Sequence, residues 1–588
     1  MATAKRLYLY IVSAIGLGLL LVAGSTLIRL LLDRLGLHAT SPYGGFYYGT
    51  AHPVREAVAG AIGMIVVGLP LFLLHWSLVE RMVRGDSPEA AVERRSVVRS
   101  VFFALALGSL LVWTATATVD FLREGICGPL DAKDLYGIVD IGGSLSVVVV
   151  VGGAWLYLAW VRARDLRQGP KLEGPAAWIS RLYLYGAAFV GIVTALTASM
   201  SLIGTGIDSL AGYSGIGYPI FSGSYGPYGP NATMPTAAWW VRPVVAAAAS
   251  GLVWIAVWFG HWRYAGRLNA RDDGQGQAER ISRVRLAYFV GVVAIGIGAL
   301  ASGLGQSLGA VIGALVGAPR ISDALPLWRD ILQPSAAVVV LALAWWLHRS
   351  LGQREQAAIA SGSSLRAVRP MDYVTALIGL GVFAFELATL VALLVDKATG
   401  APISILGTSG SWGLEAASAI GFAVVGLPIW LWPWLSAGRR LARDRPAETR
   451  SSSRRYYLFA VAGASVVTGA WSMAMVISQL VRVALSLDSP NLGWNVSLPL
   501  GFLLVAAPML GYHLLVLRRE MTPEVELAVE AGAPAAEVAQ APALVAQAAQ
   551  ELVIFGPAGP DFEALRSSIA SRLPAGYSIR VRADDDPV

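Results

Sequence analysis

Residues 68–81 read GLPLFLLHWSLVER, the end of a hydrophobic run in which Pro70 is followed five and six residues later by His75 and Trp76. Related endings recur as FGHWRYAGR (259–267), WWLHRSLGQR (345–354), GLPIWLWPWLSAGRR (426–440) and APMLGYHLLVLRR (507–519). A looser copy, AWLYLAWVRARDLR, spans 154–167. Each follows about 20 apolar residues, enough to cross a bilayer core of roughly 30 Å, and each precedes a basic loop.

Working outward, the rest of the chain has the same character. Of 588 residues, 55% are hydrophobic and only 14% charged, where a soluble chain carries about a quarter. Twelve apolar runs are expected to be membrane helices, because backbone groups in lipid must be satisfied within the segment. They cover 8–32, 55–79, 99–122, 141–161, 182–204, 240–262, 286–312, 332–349, 373–395, 414–437, 456–484 and 496–517. The net charge of +7 is not a nucleic-acid signal. Most Lys and Arg fall in alternate loops, the pattern of the positive-inside rule, so both termini are expected in the cytoplasm. The fold class is therefore all-α, a polytopic transmembrane bundle, and the first run is a retained anchor rather than a signal peptide. The expected location is a bacterial cell membrane, with the lipid bilayer as the principal partner. The lone cysteine, Cys127, is expected in an outer loop and excludes an internal disulfide.

Internal repetition organises the runs. The first helix opens Arg6-Leu-Tyr-Leu-Tyr10 and closes at Asp33; shifted by about 175 residues, the fifth opens Arg181-Leu-Tyr-Leu-Tyr185 and closes at Asp208. Weaker echoes open near 371 and 455. Such periodicity is read before anything else. Six parallel hairpins follow, starting near 6, 95, 181, 285, 371 and 455, or three units of four helices; the sequence leaves both open. The RLYLY opening, the closing Trp and Arg and the tandem arrangement resemble the bacterial integral membrane proteins of domain-of-unknown-function family 5671. That resemblance implies a membrane protein and assigns no activity, cofactor or catalytic residue. Tyr and Trp at the span ends, among them Tyr8, Tyr10, Trp76, Tyr185 and Tyr457, are expected in two interfacial belts. Gly305, Gly309, Gly313 and Gly317 are expected to form a packing ladder on one helix face.

Two stretches lie outside the bundle. A Gly/Pro/Tyr-rich loop at 212–238, with a formal sequon at Asn231, is expected on the outer side. Beyond Arg519 an Ala/Glu/Pro-rich linker (520–550) leads to a strand–helix–strand tail (551–588), too small for a core of its own and a possible point of protein contact or self-association.

Few residues invite chemistry. Glu386 stands at mid-span, where an ionisable group usually meets a cavity or a partner. His75, His261, His348 and His513 fall near the inner ends of inward helices. They are either cations favoured at a helix C-terminus or converging haem or metal ligands. Arg29 sits near an outer helix end, where snorkelling to the interface accounts for it, and Asp120 with Arg123 flanks another end as a candidate rim of an outer vestibule. No HExxH, paired CxxC, Walker loop or Rossmann fingerprint is present, so no cofactor is expected and an enzyme is disfavoured. The leading expectation is a non-enzymatic scaffold or sensor. The alternatives are a transporter or channel using Glu386, and a haem or redox protein using the histidines.

Overall fold

The structure is a computed structural model that describes residues 3–37, 53–85, 87–127, 140–168, 172–211, 240–319, 326–357, 365–399, 412–449, 451–485, 492–521, 551–556 and 578–583. Among them, twelve helices are long and apolar enough to cross a membrane. These are α1 (Thr3–Arg34), α2 (Pro53–Val83), α4 (Val97–Cys127), α5 (Ile141–Gln168), α6 (Gly174–Leu210), α7 (Val241–Asn269), α9 (Arg283–Leu315), α10 (Leu327–Ala357), α11 (Leu365–Thr399), α12 (Trp412–Arg443), α14 (Ser452–Ala484) and α15 (Leu492–Met521). Cys127 is the buried last residue of α4, not a loop residue. The Gly/Pro/Tyr-rich loop, its sequon and the linker from 522 onward lie outside the described residues.

Three short helices were not foreseen: α3 (Pro88–Arg94), α8 (Gly274–Arg280) and α13 (Arg445–Thr449). Each is started by a side-chain cap: Ser87 accepts from Ala90 N, Asp273 from Gly276 N, and Asp444 from Ala447 N. Among the described residues they lie in the α2–α4, α7–α9 and α12–α14 connections. Their placement groups the described long helices in fours: α1–α5, α6–α10 and α11–α15.

Packing repeats with the same period. Within a unit, the first helix lies against the second (α1 on α2, α6 on α7, α11 on α12) and also against the fourth (α1 on α5, α6 on α10). Between units, the third helix packs on the first two of the next: α4 on α6 and α7, α9 on α11 and α12. Glycines set the closest approaches. A Cβ at Gly16 would lie 2.6 Å from Phe72 N and one at Gly191 2.8 Å from Trp258 N, while one at Gly379 would collide with Trp430 N. All three stand ten residues after the opening arginine of their unit (Arg6, Arg181, Arg369).

The glycine ladder of α9 is real over three rungs. Gly305 faces the Phe422 ring, Gly309 the Ser418 backbone and Gly313 the Ala417 methyl. Gly317 is not a rung. It adopts φ 66° just past the helix, where Ala318 N bonds Gly313 O, a left-handed terminator suited to glycine.

The described residues of 458–466 and 507–588 form a second unit. It contains two short strands, β1 (Glu551–Gly556) and β2 (Ser578–Ala583), paired in parallel from Glu551–Ser578 to Gly556–Ala583. The helix expected between them falls outside the described residues.

Candidate functional sites

At the end of the bundle that carries the three short helices, four residues recur in the same relation. An arginine and a tyrosine four residues later open the first helix: Arg6 and Tyr10, Arg181 and Tyr185, Arg369 and Tyr373. The short helix supplies a buried glutamate (Glu93, Glu279, Glu448), and the third long helix supplies a buried arginine six residues after it (Arg99, Arg285, Arg454). The tyrosine hydroxyl donates to the glutamate and accepts from the second arginine in every copy. Tyr10 bonds Glu93 at 3.3 Å and Arg99 at 3.0 Å; Tyr185 bonds Glu279 and, at 2.6 Å, Arg285; Tyr373 bonds Glu448 at 2.6 Å and Arg454 at 3.0 Å. The opening arginine closes the loop through Nε, at 2.7 Å from Glu93, 2.8 Å from Glu279 and 2.9 Å from Glu448. In the middle copy this contact is an aligned hydrogen bond; in the others it is an ion pair without that alignment.

Burial of these charges is sustained by partners on every side, without which each would cost several kcal/mol. Arg99, fully buried, also meets Asp165 at 2.8 Å through Nε and Glu80 at 3.3 Å, with the Phe103 ring 5.0 Å away. Arg285 and Arg454 lie over Trp262 and Trp434 at 5.1 and 5.2 Å, a cation–π contact. Several aromatics expected in a lipid-facing belt are therefore core residues: Tyr10, Trp76, Tyr185 and Tyr457 are buried. Such closed networks fasten helices together and leave little to bind a ligand.

The four histidines share one geometry and do not converge. Nδ1 of each lies 2.8 Å from the carbonyl four residues earlier: Leu71 for His75, Val257 for His261, Ala344 for His348 and Met509 for His513. A neutral ring in that position carries its proton on Nδ1, leaving Nε2 as acceptor. Nε2 then accepts from Tyr8 at 3.2 Å in His75, from Tyr183 at 3.3 Å in His261 and from Tyr288 at 3.0 Å in His348. The lone pairs a haem or metal would need are thus engaged in these three. Among the described residues, no group of three or more His, Cys, Asp or Glu is placed to hold a metal ion.

Glu386 lies midway along α11, half-buried, and its carboxylate bonds no described residue. Arg29 does not simply reach for the interface; it pairs with Asp140 at 2.8 Å. Asp120 and Arg123 are brought together at 2.9 Å, and with them Glu124, which Arg123 and Arg242 both clamp, the latter at 2.6 Å. These residues line a cavity of about 440 Å³ between α4, α5 and α7, at the end opposite the short helices. Glu124 and Asp140 were not anticipated in the sequence. Their signal was an acid at a helix terminus, too common to single out.

Only with this geometry in view do comparisons acquire meaning. The family described as a domain of unknown function (DUF5671) matches residues 6–143 and 369–508. Both matches begin on the opening arginine of a clamp. Residues 144–368 are outside the matches, yet Arg181, Tyr185, Gly191, Trp262, Glu279 and Arg285 there hold the same places. No curated protein and no solved structure matches the chain.

Proposed function

Because the chain carries two DUF5671 domains and, between them, a unit built on the same residues, we propose that it is a non-enzymatic multi-pass membrane protein acting as a scaffold or sensor. The observation that carries this reading is the placement of ionisable groups. They sit near the two ends of the long helices, many of them paired, and among the described residues Glu386 is the one ionisable group at mid-helix. Transporters of ions or polar solutes usually keep several polar groups at mid-depth. The clamps act as rivets between units, and the cavity between α4, α5 and α7 is where a signal is received. By the distribution of Lys and Arg, the clamp end and both termini face the cytoplasm of a bacterial cell and the cavity faces outward. The paired strands β1 and β2 and their linker are then the cytoplasmic contact point.

Glu386, which bonds no described residue, favours a second reading, a proton-coupled carrier. Purified protein in liposomes loaded with a pH-sensitive dye tests both. The sensor reading expects a pH gradient to decay as in empty liposomes. Decay that is faster, and is restored by Glu386→Gln, overturns it in favour of the carrier.

A further inference from the structure

We propose that the cavity at the junction of the first and second four-helix units binds a small zwitterion bearing an apolar group. Its ammonium is held by Asp120 and its anionic group by Arg123. This names the ligand class of the receiving site in the sensor reading and rests on that reading for its purpose, not for its chemistry.

Bond accounting leads there. Glu124 is saturated: Arg123 and Arg242 both donate to Oε1, and Arg242 also to Oε2. Each oxygen of Asp140 has a partner too, with Oδ1 accepting from Gly143 N at 2.7 Å and Oδ2 facing Arg29. Asp120 and Arg123 are not. Arg123 Nη2 meets Asp120 Oδ1, which leaves Asp120 Oδ2 and Arg123 Nη1 without a bonded partner among the described residues. Their side chains remain 40% and 29% exposed, side by side on one helix and turned to the cavity. An unsatisfied acceptor beside an unsatisfied donor matches a ligand that presents one charge of each sign.

Net charge makes the same selection. Among the described residues, the three lining acids Asp120, Glu124 and Asp140 are balanced by Arg123 and Arg242 of the lining and by Arg29, which pairs with Asp140 from outside it. A ligand with a net charge would upset that balance in a partly desolvated site, whereas a zwitterion preserves it. Below the charged rim the wall changes. Trp113 and Ala117 lie seven and three residues deeper on α4 than Asp120, about 10 and 5 Å at 1.5 Å per residue. With Val147 of α5 they offer an apolar floor. The volume is within the range of small-ligand sites, about 300–1,000 Å³. A free amino acid with a branched apolar side chain has this chemistry, and so does a zwitterionic lipid headgroup with the start of its acyl chain.

The test uses the full chain in phosphatidylglycerol nanodiscs and titration calorimetry. The probes are L-leucine, isoamylamine, which keeps only the amine, and 4-methylpentanoate, which keeps only the acid. Saturable leucine binding is expected, with both single-charge analogues weaker by about tenfold or more. Asp120→Asn is expected to weaken leucine about tenfold and to leave 4-methylpentanoate unchanged, and Arg123→Gln to do the converse with isoamylamine. Repeating the titration with phosphatidylethanolamine in the disc distinguishes the sources. A fall in apparent leucine affinity that Asp120→Asn abolishes assigns the site to the lipid headgroup, and no fall assigns it to a soluble zwitterion. The proposal is overturned if leucine shows no saturable binding in phosphatidylglycerol and no phosphatidylethanolamine is retained in a manner sensitive to Asp120→Asn. Equal binding of leucine and isoamylamine overturns it too. Leucine carried across a liposome membrane would instead sink the sensor reading and leave the binding site standing.

Discussion

Glu279→Ala is the substitution that tests the repeated clamp most directly, because it falls in the unit that the family match does not cover. Two contacts are lost. Tyr185 loses the acceptor for its hydroxyl proton while Arg285 continues to donate to the same oxygen. A buried donor left unsatisfied costs about 1–3 kcal/mol. Arg181 loses its ion pair but is 24% exposed and turns to water, so that contact adds no more than about 1 kcal/mol. The sum is about 1–4 kcal/mol. For a cooperative unit of four helices this is a drop of roughly 2–16 °C in melting temperature, at 2–4 °C per kcal/mol. Tryptophan fluorescence during heating in detergent reads it directly, with a rescan to establish reversibility. Glu279→Gln keeps an acceptor for Tyr185 and is expected to cost about 1 kcal/mol or less. Glu93→Ala should match Glu279→Ala, and Glu448→Ala should exceed both, because Arg369 and Arg440 both approach Glu448. A melting curve unchanged by Glu279→Ala, beside a clear loss in Glu93→Ala, would refute the idea that the three networks are equivalent.

Other expectations follow from single contacts. Gly191→Ala should cost about 1–3 kcal/mol by driving a methyl into the Trp258 backbone, while Gly186→Ala on the same helix, with open space around it, should be neutral or slightly stabilising; equal melting temperatures would contradict this. Tyr288→Phe and His348→Leu should each destabilise, with a coupling of about 1 kcal/mol in a double-mutant cycle, since Tyr288 links Trp258 to His348; simple additivity would break the link. Glu386→Gln should leave the melting temperature within about 1 kcal/mol of the parent, because its carboxylate has no described partner to lose; a loss beyond about 2 kcal/mol would reveal a bond. Reporter fusions near Arg271 and Arg445 should fall on the same side of the membrane, and opposite sides would dissolve the repeat.

The long helices were legible because lipid permits only one backbone solution, so apolar length alone located all twelve. Their true ends were not. α6 runs Gly174–Leu210 where the apolar stretch is 182–204, because amphipathic turns continue a helix past the hydrocarbon at little cost. The clamps stayed hidden for a different reason. Tyr10 and Arg99 are 89 residues apart in sequence, and each read locally as an interfacial aromatic or a loop charge. What distinguishes them is their joint recurrence, Arg-x-x-x-Tyr followed by Glu-x-x-x-x-x-Arg, a pattern spread over two spacings that the search for hairpins did not combine. The histidines stand more than two turns inside the ends of their helices, and which ring nitrogen is occupied depends on neighbours sixty or more residues away.

Gly16, Gly191 and Gly379 hold the first two helices of each unit at backbone contact. Helices that close interlock along a notch and resist sliding past one another. When such a chain meets a thicker or thinner bilayer, each pair must therefore lean as one stiff plank, and the adjustment is passed to the seams between units. A change of membrane thickness would on that argument be expected to fall on the seams, one of which encloses the cavity beside Asp120.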